Sequence, residues 1–290
     1  MERKVLVTGA SGLIGRELCK QLSKNFHVVG IDNEFRYSYR PNSQEFVKEN
    51  LQSFLDACQE EFAYIFHMGA INGTKYFYDI PNKLIENNIS ADMSVFKYAE
   101  RNKKCKIIYA SSSEVIADTN IFPTPEINNI AIHDITNPRW SYRLSKIVSE
   151  NYLTNSNINY IILRFFNIFG PASASGHFIR DILEKIDNED FTLIAPDETR
   201  SFCRVEDAVD AVVNIFDKVD NTTVNIGSDE ELTIKEAANI IAASKGLTVD
   251  WKRLPPNYGS VSRRCPDIAK LKNIYPQYSP KKFKDAIQDL

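Results

Sequence analysis

Near its N-terminus the chain runs Val5-Leu6-Val7-Thr8-Gly9-Ala10-Ser11-Gly12-Leu13-Ile14-Gly15, and no other segment constrains its fold as tightly. The apolar triplet reads as a short buried strand. A Gly-rich turn follows, and then a helix start at Leu13. Glycines let a backbone turn sharply and approach an anion without Cβ clashes, and a helix N-terminus presents free N–H groups to it. This order predicts the pyrophosphate turn of an open α/β sheet, with Gly9, Gly12, Leu13 and Ile14 lining it. Asp32 ends the next apolar run, 17 residues after Gly15. A carboxylate there accepts hydrogen bonds from adenosine ribose hydroxyls and repels a 2′-phosphate, so NAD is expected over NADP. Asn33 is assigned to the same site.

The rest of the chain repeats the alternation. Val28 to Ile31, Tyr64 to Phe66, Lys106 to Tyr109 and Tyr160 to Leu163 read as further strands. They lack inside/outside alternation, as parallel strands covered on both faces do. Leu13 to Ser23, Pro81 to Arg101 and Pro138 to Asn155 read as helices, the last two opening on a Pro in the first turn. The fold class expected is α/β, a Rossmann-type doubly wound parallel sheet with right-handed crossovers and a smaller C-terminal α/β lobe. Beyond residue 170 a loop is expected at Pro171 to Gly176. Helices are expected at Phe178 to Ile186 and Glu206 to Val219, and a strand at Val224 to Ile226. Thr233 and Glu236 form a capping box for a helix to Lys245. Ser279 before Pro280 is expected to cap a last short helix. Residues 1–170 and 202–228 are assigned to the dinucleotide domain, and 171–201 with 229–290 to the second lobe.

Composition narrows the class of partner. A chain of 290 residues with 43% hydrophobic residues supports a sizeable core. Its net charge of −3 argues against a strongly basic nucleic-acid binder. No stretch approaches the ~18 to 20 apolar residues of a membrane span. The N-terminus breaks to Gly and Ser too soon for a secretory signal. The five cysteines are scattered and form no CxxC pair, so neither a metal site nor a disulfide framework is expected. A cytoplasmic protein without nucleic-acid or membrane partners is the expectation.

A second constellation carries chemistry. Tyr142 and Lys146 lie four apart on a predicted helix and share a face. A nearby ammonium lowers a phenol pKa, making it usable as a proton acceptor. The strand Lys106 to Tyr109 runs into Ser111-Ser112-Ser113-Glu114, and residues past a parallel strand's C-terminal end face the ligand crevice.

TGxxGxxG, a serine-rich strand end and YxxxK together resemble the extended short-chain dehydrogenase/reductase family, in particular its nucleotide-sugar epimerases, dehydratases and decarboxylases. Further stretches are similar to that family's motifs: Phe66-His67-Met68-Gly69-Ala70, Asn88-Ile89, Arg164 to Pro171, Arg200 to Asp207, and Arg264-Cys265-Pro266-Asp267-Ile268. The resemblance thus spans residues 8 to 268 in order. It implies that Tyr142 is the catalytic base, that Lys146 binds the nicotinamide ribose and lowers the Tyr142 pKa, and that Ser112 holds the reacting oxygen. It places Met68, Gly69 and Ala70 beside the adenosine half of NAD, and Ser113, Asn167, Arg200 and Arg264 on the nucleotide-sugar side. A homodimer through a four-helix bundle of Pro81 to Arg101 and Pro138 to Asn155 is implied too, with a tetramer as the further option.

The function expected on this basis is NAD-dependent oxidation at C4 of a nucleotide-linked sugar, with an epimerase or dehydrogenase outcome, for surface polysaccharide biosynthesis. The alternatives are a sugar-uronate decarboxylase, a 4,6-dehydratase or, from another class, a non-catalytic NAD-binding regulator. Two departures bear on the choice. The dehydratases carry Asp-Glu where this chain has Ser113-Glu114, which removes the acid for a departing hydroxyl. Ser112-Ser113-Glu114 and Pro138-Arg139-Trp140 are closer to the uronate decarboxylases, so Glu114 is a candidate catalytic residue, with a helix first-turn acid as the bland alternative. Ile116-Ala117 and Ala195 to Thr199 also depart from the family pattern, on the substrate side. His67 is expected to line the site without taking part in chemistry. Tyr76-Phe77-Tyr78 is expected either to line the cleft or to pack.

Overall fold

The computed structural model describes residues 3–35, 40–116, 119–127, 130, 135–171, 173, 177–256 and 260–288. Ala117 and most of the loop expected at Pro171 to Gly176 lie outside them.

The elements follow one another as β1 (Lys4–Thr8), α1 (Leu13–Leu22), β2 (His27–Asp32), β3 (Glu45–Lys48), α2 (Leu51–Ala57), β4 (Tyr64–His67), α3 (Thr74–Asp79), α4 (Pro81–Arg101), β5 (Lys106–Ser112), a 3-10 turn at Ser113–Ile116 and α5 (Trp140–Thr154). Then come β6 (Asn159–Phe165), β7 (Ile168–Phe169), α6 (Phe178–Asp187), β8 (Thr192–Ile194), β9 (Thr199–Ser201), β10 (Cys203–Arg204), α7 (Val205–Ile215), β11 (Thr222–Ile226), β12 (Glu231–Thr233), α8 (Ile234–Ser244), β13 (Lys252–Leu254), β14 (Arg263–Arg264), α9 (Ala269–Ile274) and α10 (Phe283–Ala286).

Seven strands form one parallel sheet in the order β11-β6-β5-β4-β1-β2-β3. The order reverses at β1, which opens a crevice at the C-terminal strand ends. Successive residues explain why the strands do not alternate in polarity. Val5 and Val7 pack with α1 and α7 on one face, while Leu6 packs with α2, α4 and α5 on the other. Ile161 and Leu163 divide from Tyr160 and Ile162 in the same way. Each such side chain contributes roughly 1.5–3 kcal/mol by leaving water. A third cluster joins α6, α8 and α10 through Ile182, Phe202, Ile241, Trp251 and Phe283. Beside it β9 pairs with β12 and β14 in a small sheet. Ile268, Leu271 and Tyr278, from the end of the chain, pack into the main core.

The Thr233–Glu236 capping box forms as the sequence predicts, with both reciprocal hydrogen bonds. Other boundaries move. Helix α5 starts at Trp140, because Pro138 and Arg139 form a turn on the Asn137 side chain. Helix α7 ends at Ile215, not Val219. The last helix begins at Phe283 with Lys282 at its N-cap, so Ser279 does not cap it. No helix among the described residues is long and apolar enough to cross a membrane.

Candidate active site

The crevice widens into a cleft of about 940 Å³ between the sheet and the smaller cluster. Its cofactor end is built from the first turn. Gly9 takes φ +63, and a Cβ there would lie 2.7 Å from the Gly69 backbone. A Cβ on Gly15 would lie 2.1 Å from the Gly9 carbonyl. Only glycine allows this approach of turn, helix and neighbouring strand end. Gly12 caps α1 with no side-chain acceptor, which leaves first-turn N–H groups for an anion. Leu13, Ile14, Asn33, Met68, Gly69 and Ala70 line the same end.

Asp32 accepts from the Ser11 N–H at 3.0 Å and the Glu34 N–H at 2.7 Å. Burial raises its pKa, against the pull of those two N–H groups. A carboxylate has about four lone-pair sites, so two remain for vicinal hydroxyls. This cradle fits a dinucleotide with an unphosphorylated ribose. We expect Asp32→Asn to weaken NAD binding roughly 10- to 100-fold, the worth of hydrogen bonds to a charged group, and to narrow the preference over NADP. Titration of both cofactors checks this; a wild-type chain that binds NADP as tightly would contradict it.

Toward the other end lie the residues expected to do chemistry. The Ser112 hydroxyl hydrogen-bonds the Tyr142 phenol. Phe77 stacks on the Tyr142 ring, centroids 5.2 Å apart, so that member of the aromatic triplet covers the phenol. Tyr76 packs on Phe35 and Tyr78 hydrogen-bonds Arg139.

The expected lowering of the Tyr142 pKa is not what the chain alone provides. Burial pushes the phenol well above its ordinary value; the Ser112 hydrogen bond opposes this, while the charges of Glu114 and Asp92 add to it. The Lys146 ammonium donates instead to the Tyr109 hydroxyl at 3.0 Å, where it also lies over the ring. Bound NAD, with its cationic nicotinamide, belongs to the environment in which Tyr142 would have to ionise.

Glu114 sits between two guanidiniums, 2.9 Å from Arg264 and 3.1 Å from Arg139. Burial by itself would raise this carboxyl, but Arg264 and Arg139 outweigh it and hold it at about 2. It is therefore a carboxylate at neutral pH. Arg264 gives Nη1 to Glu114, while its buried Nε and Nη2 have no hydrogen-bond partner among the described residues. Those two donors form one edge of the guanidinium fork, suited to paired anionic oxygens. Arg200 donates to Glu198 and to the Thr199 carbonyl. Burial and the neighbouring Arg264 lower its pKa to about 10. Asn167, at φ +40, spends its amide nitrogen on the Ser201 carbonyl and lines the cleft with Ser113.

The structure thus gathers the residues assigned to the cofactor, the chemistry and the substrate around one cleft; His67, expected to line it, is instead buried behind it. The structure also adds a buried polar cluster beneath Lys146. Asp92 accepts from His67 Nε2 at 2.8 Å, the Tyr109 hydroxyl at 2.7 Å and the Ser149 hydroxyl at 2.5 Å. His67 meets Thr8 through Nδ1 at 2.6 Å, so it joins β4 to β1 and carries no free nitrogen toward substrate. Asn88, one turn before Asp92, clamps the backbone of Ile71 through two hydrogen bonds. Leu84, Asn88, Asp92 and Val95 share one buried stripe of α4. Two polar residues in an apolar stripe are the signal by which sequence reasoning could have found Asp92.

The chain matches the NAD dependent epimerase/dehydratase family over residues 5–227. It is 30% identical to a UDP-N-acetyl-alpha-D-glucosaminuronate decarboxylase of Bacillus cytotoxicus, with 94% of this chain and 92% of the relative covered. It is 26% identical to UDP-glucuronic acid decarboxylase 3 of Arabidopsis thaliana, over 93% and 83% of the two chains. Among solved structures, the UDP-N-acetylglucosamine 4-epimerase of Methanobrevibacter ruminantium superposes with a TM-score of 0.87 at 25% identity, covering 99% of this chain and 96% of that one. The non-catalytic reading gives way to this family's chemistry. The chain belongs to the NAD-dependent epimerase/dehydratase family and is an enzyme that uses NAD.

Proposed function

We propose that the enzyme oxidises C4 of a nucleotide-linked uronic acid and releases its C6 carboxylate as CO2. The observation that carries this reading is Glu114, ionised between Arg139 and Arg264 directly after Ser112 and Ser113. A carboxyl held at about 2 cannot protonate a departing hydroxyl near neutral pH, so dehydration lacks its acid. Decarboxylation needs no such acid. The two relatives named as uronate decarboxylases point the same way.

The chemistry asks little more of this chain than it holds. Tyr142 as phenolate takes the C4 hydroxyl proton, and Lys146 orients the nicotinamide ribose. Bound NAD supplies the hydride acceptor for C4. The resulting ketone is β to the C6 carboxylate. The C5–C6 bond breaks, CO2 leaves, the electron pair moves toward the C4 oxygen, and the resulting enolate takes a proton from water at C5, leaving a 4-keto pentose. Ser112 and Tyr142 hydrogen-bond that oxygen as charge develops on it. Arg264 and Arg200 supply cations for the substrate's pyrophosphate and carboxylate.

The test is incubation with NAD and a panel of UDP-sugars and UDP-uronates, with products read by NMR. CO2 release from a UDP-uronate is expected. Interconversion of a UDP-hexose with its C4 epimer, without CO2, would return the assignment to epimerisation. The same reading includes a role in supplying sugars for a surface polysaccharide. Helices α4 and α5 pack side by side, and Val148 is 44% exposed on α5. We infer that these helices pair across a homodimer.

A further inference from the structure

We propose that Asp92 is a positioning residue for the reaction: it is the counter-ion that holds Lys146, through the Tyr109 hydroxyl, where the ammonium meets the cofactor ribose. The inference rests on the roles given above to Tyr142 and Lys146.

Lys146 is 2% exposed, and a buried ammonium requires an anion. The two carboxylates that act on it are Asp92 and Glu150. Glu150 is already committed. It receives Arg164 through two hydrogen bonds of 3.0 and 2.6 Å and the Ser111 hydroxyl at 2.5 Å. Asp92 is fully buried and accepts from three direct partners, His67, Tyr109 and Ser149. Among the groups that hold Asp92 below its ordinary value against burial, Lys146 acts most strongly, ahead of His67. The Tyr109 hydroxyl links Asp92 to Lys146, accepting from the ammonium at 3.0 Å while donating to the carboxylate.

The linkage reaches further. Thr8 accepts from the Gly69 N–H at 3.0 Å, so a continuous chain of hydrogen bonds runs from the dinucleotide turn through His67 and Asp92 to Lys146. Strands β1, β4 and β5 and helices α4 and α5 are thereby tied together around the ammonium. Asp92 also acts on Tyr142, where its charge disfavours the phenolate. The other groups facing this pair are Glu150 with Arg164, Glu114 with Arg139 and Arg264, and Tyr109 and His67.

Asp92→Asn keeps the size and removes the charge. The phenolate of Tyr142 then forms more readily, and the ammonium of Lys146 loses its proton more readily. Both limbs of the pH profile of kcat/KM are expected to move to lower pH, by about one unit for a single buried charge. NAD affinity is expected to fall roughly 10- to 100-fold, the worth of a hydrogen bond to a charged group. Tyr109→Phe removes the link and keeps the ring. It is expected to lower NAD affinity and kcat, and the melting temperature somewhat as well, since Asp92 and Lys146 each lose a buried hydrogen bond. A folded Asp92→Asn chain with an unmoved pH profile and unchanged NAD affinity would overturn the inference. If Asp92→Asn does not fold, Tyr109→Phe decides: wild-type NAD affinity and kcat would overturn it. Tyr142→Phe, run alongside, separates the two claims, because turnover surviving that change sinks the underlying reading rather than the role of Asp92.

Discussion

Replacing Tyr142 with Phe is expected to lower kcat by about 10²- to 10⁴-fold, the range that a positioned acid–base group contributes. The change removes one oxygen. The ring keeps its stacking on Phe77 and stays in the small cluster with Ile71 and Leu84. The dinucleotide turn lies on other elements, so NAD affinity is expected to stay within a few-fold of wild type. KM is expected to change little if the phenol acts mainly in the transition state. Single-turnover kinetics with NADH absorbance check this, because the oxidation step itself should be lost. A Tyr142→Phe chain that still oxidises substrate would show that another group takes the proton. The high pKa of the buried phenol makes the test sharper: burial works against ionisation, so turnover depends on what counters it, including the Ser112 hydrogen bond.

Arg264→Met is expected to show the second large effect, on both stability and activity. Arg264 and Glu114 are mostly buried and 2.9 Å apart. Removing one partner of such a pair leaves a buried charge short of compensation and costs roughly 3 kcal/mol, moderated by the remaining Arg139. The pH dependence follows from the direction of the Glu114 shift. Its pKa in the folded chain lies below its ordinary value, so its contribution is complete above pH 4.5 and is lost as pH falls toward about 2. Without Arg264 the folded value rises, so the contribution is smaller and its loss is complete at a higher pH. Thermal melts at neutral pH and at pH near the ordinary carboxyl value check both points. Equal stability of variant and wild type at neutral pH would mean that Glu114 does not need this partner. Activity should fall with it, since the free edge of the guanidinium is the proposed anion contact.

The sheet was legible because its strands are buried on both faces. Runs such as Val5-Leu6-Val7 send neighbouring residues into two different cores, and continuous apolarity follows directly. The edge strand β3 was not seen. Its sequence, Glu45-Phe46-Val47-Lys48, puts charges at both ends, and only one neighbour pairs with it. Helices α2 and α3 were missed for lack of length: seven and six residues leave too few turns for an apolar period to show. Ser279 misled because the chain stays extended through Lys282, whose φ −62 and ψ 144 are not helical, and the helix begins only at Phe283.

The site divides in the same manner. Residues on contiguous motifs, such as Gly9 to Gly15 or Tyr142 to Lys146, can be read from spacing. Contacts between distant segments cannot. Nothing in the sequence says that Arg264 meets Glu114, 150 residues away. Nothing pairs Asp92 with His67, Tyr109 and Ser149 before β4, β5, α4 and α5 are brought together. The direction of the Tyr142 shift failed for a related reason. Spacing of four put an ammonium on the right face of the helix, but burial and the Tyr109 hydroxyl decide what that ammonium does.

The proposed reaction is C4 oxidation by NAD followed by loss of C6. A UDP-uronate carrying deuterium at C4 and heavy carbon at C6 tests both steps in one single-turnover reaction. The expected result is deuterium on the nicotinamide and heavy carbon in CO2. Deuterium that never leaves the sugar, with all the heavy carbon retained in the product, would contradict it.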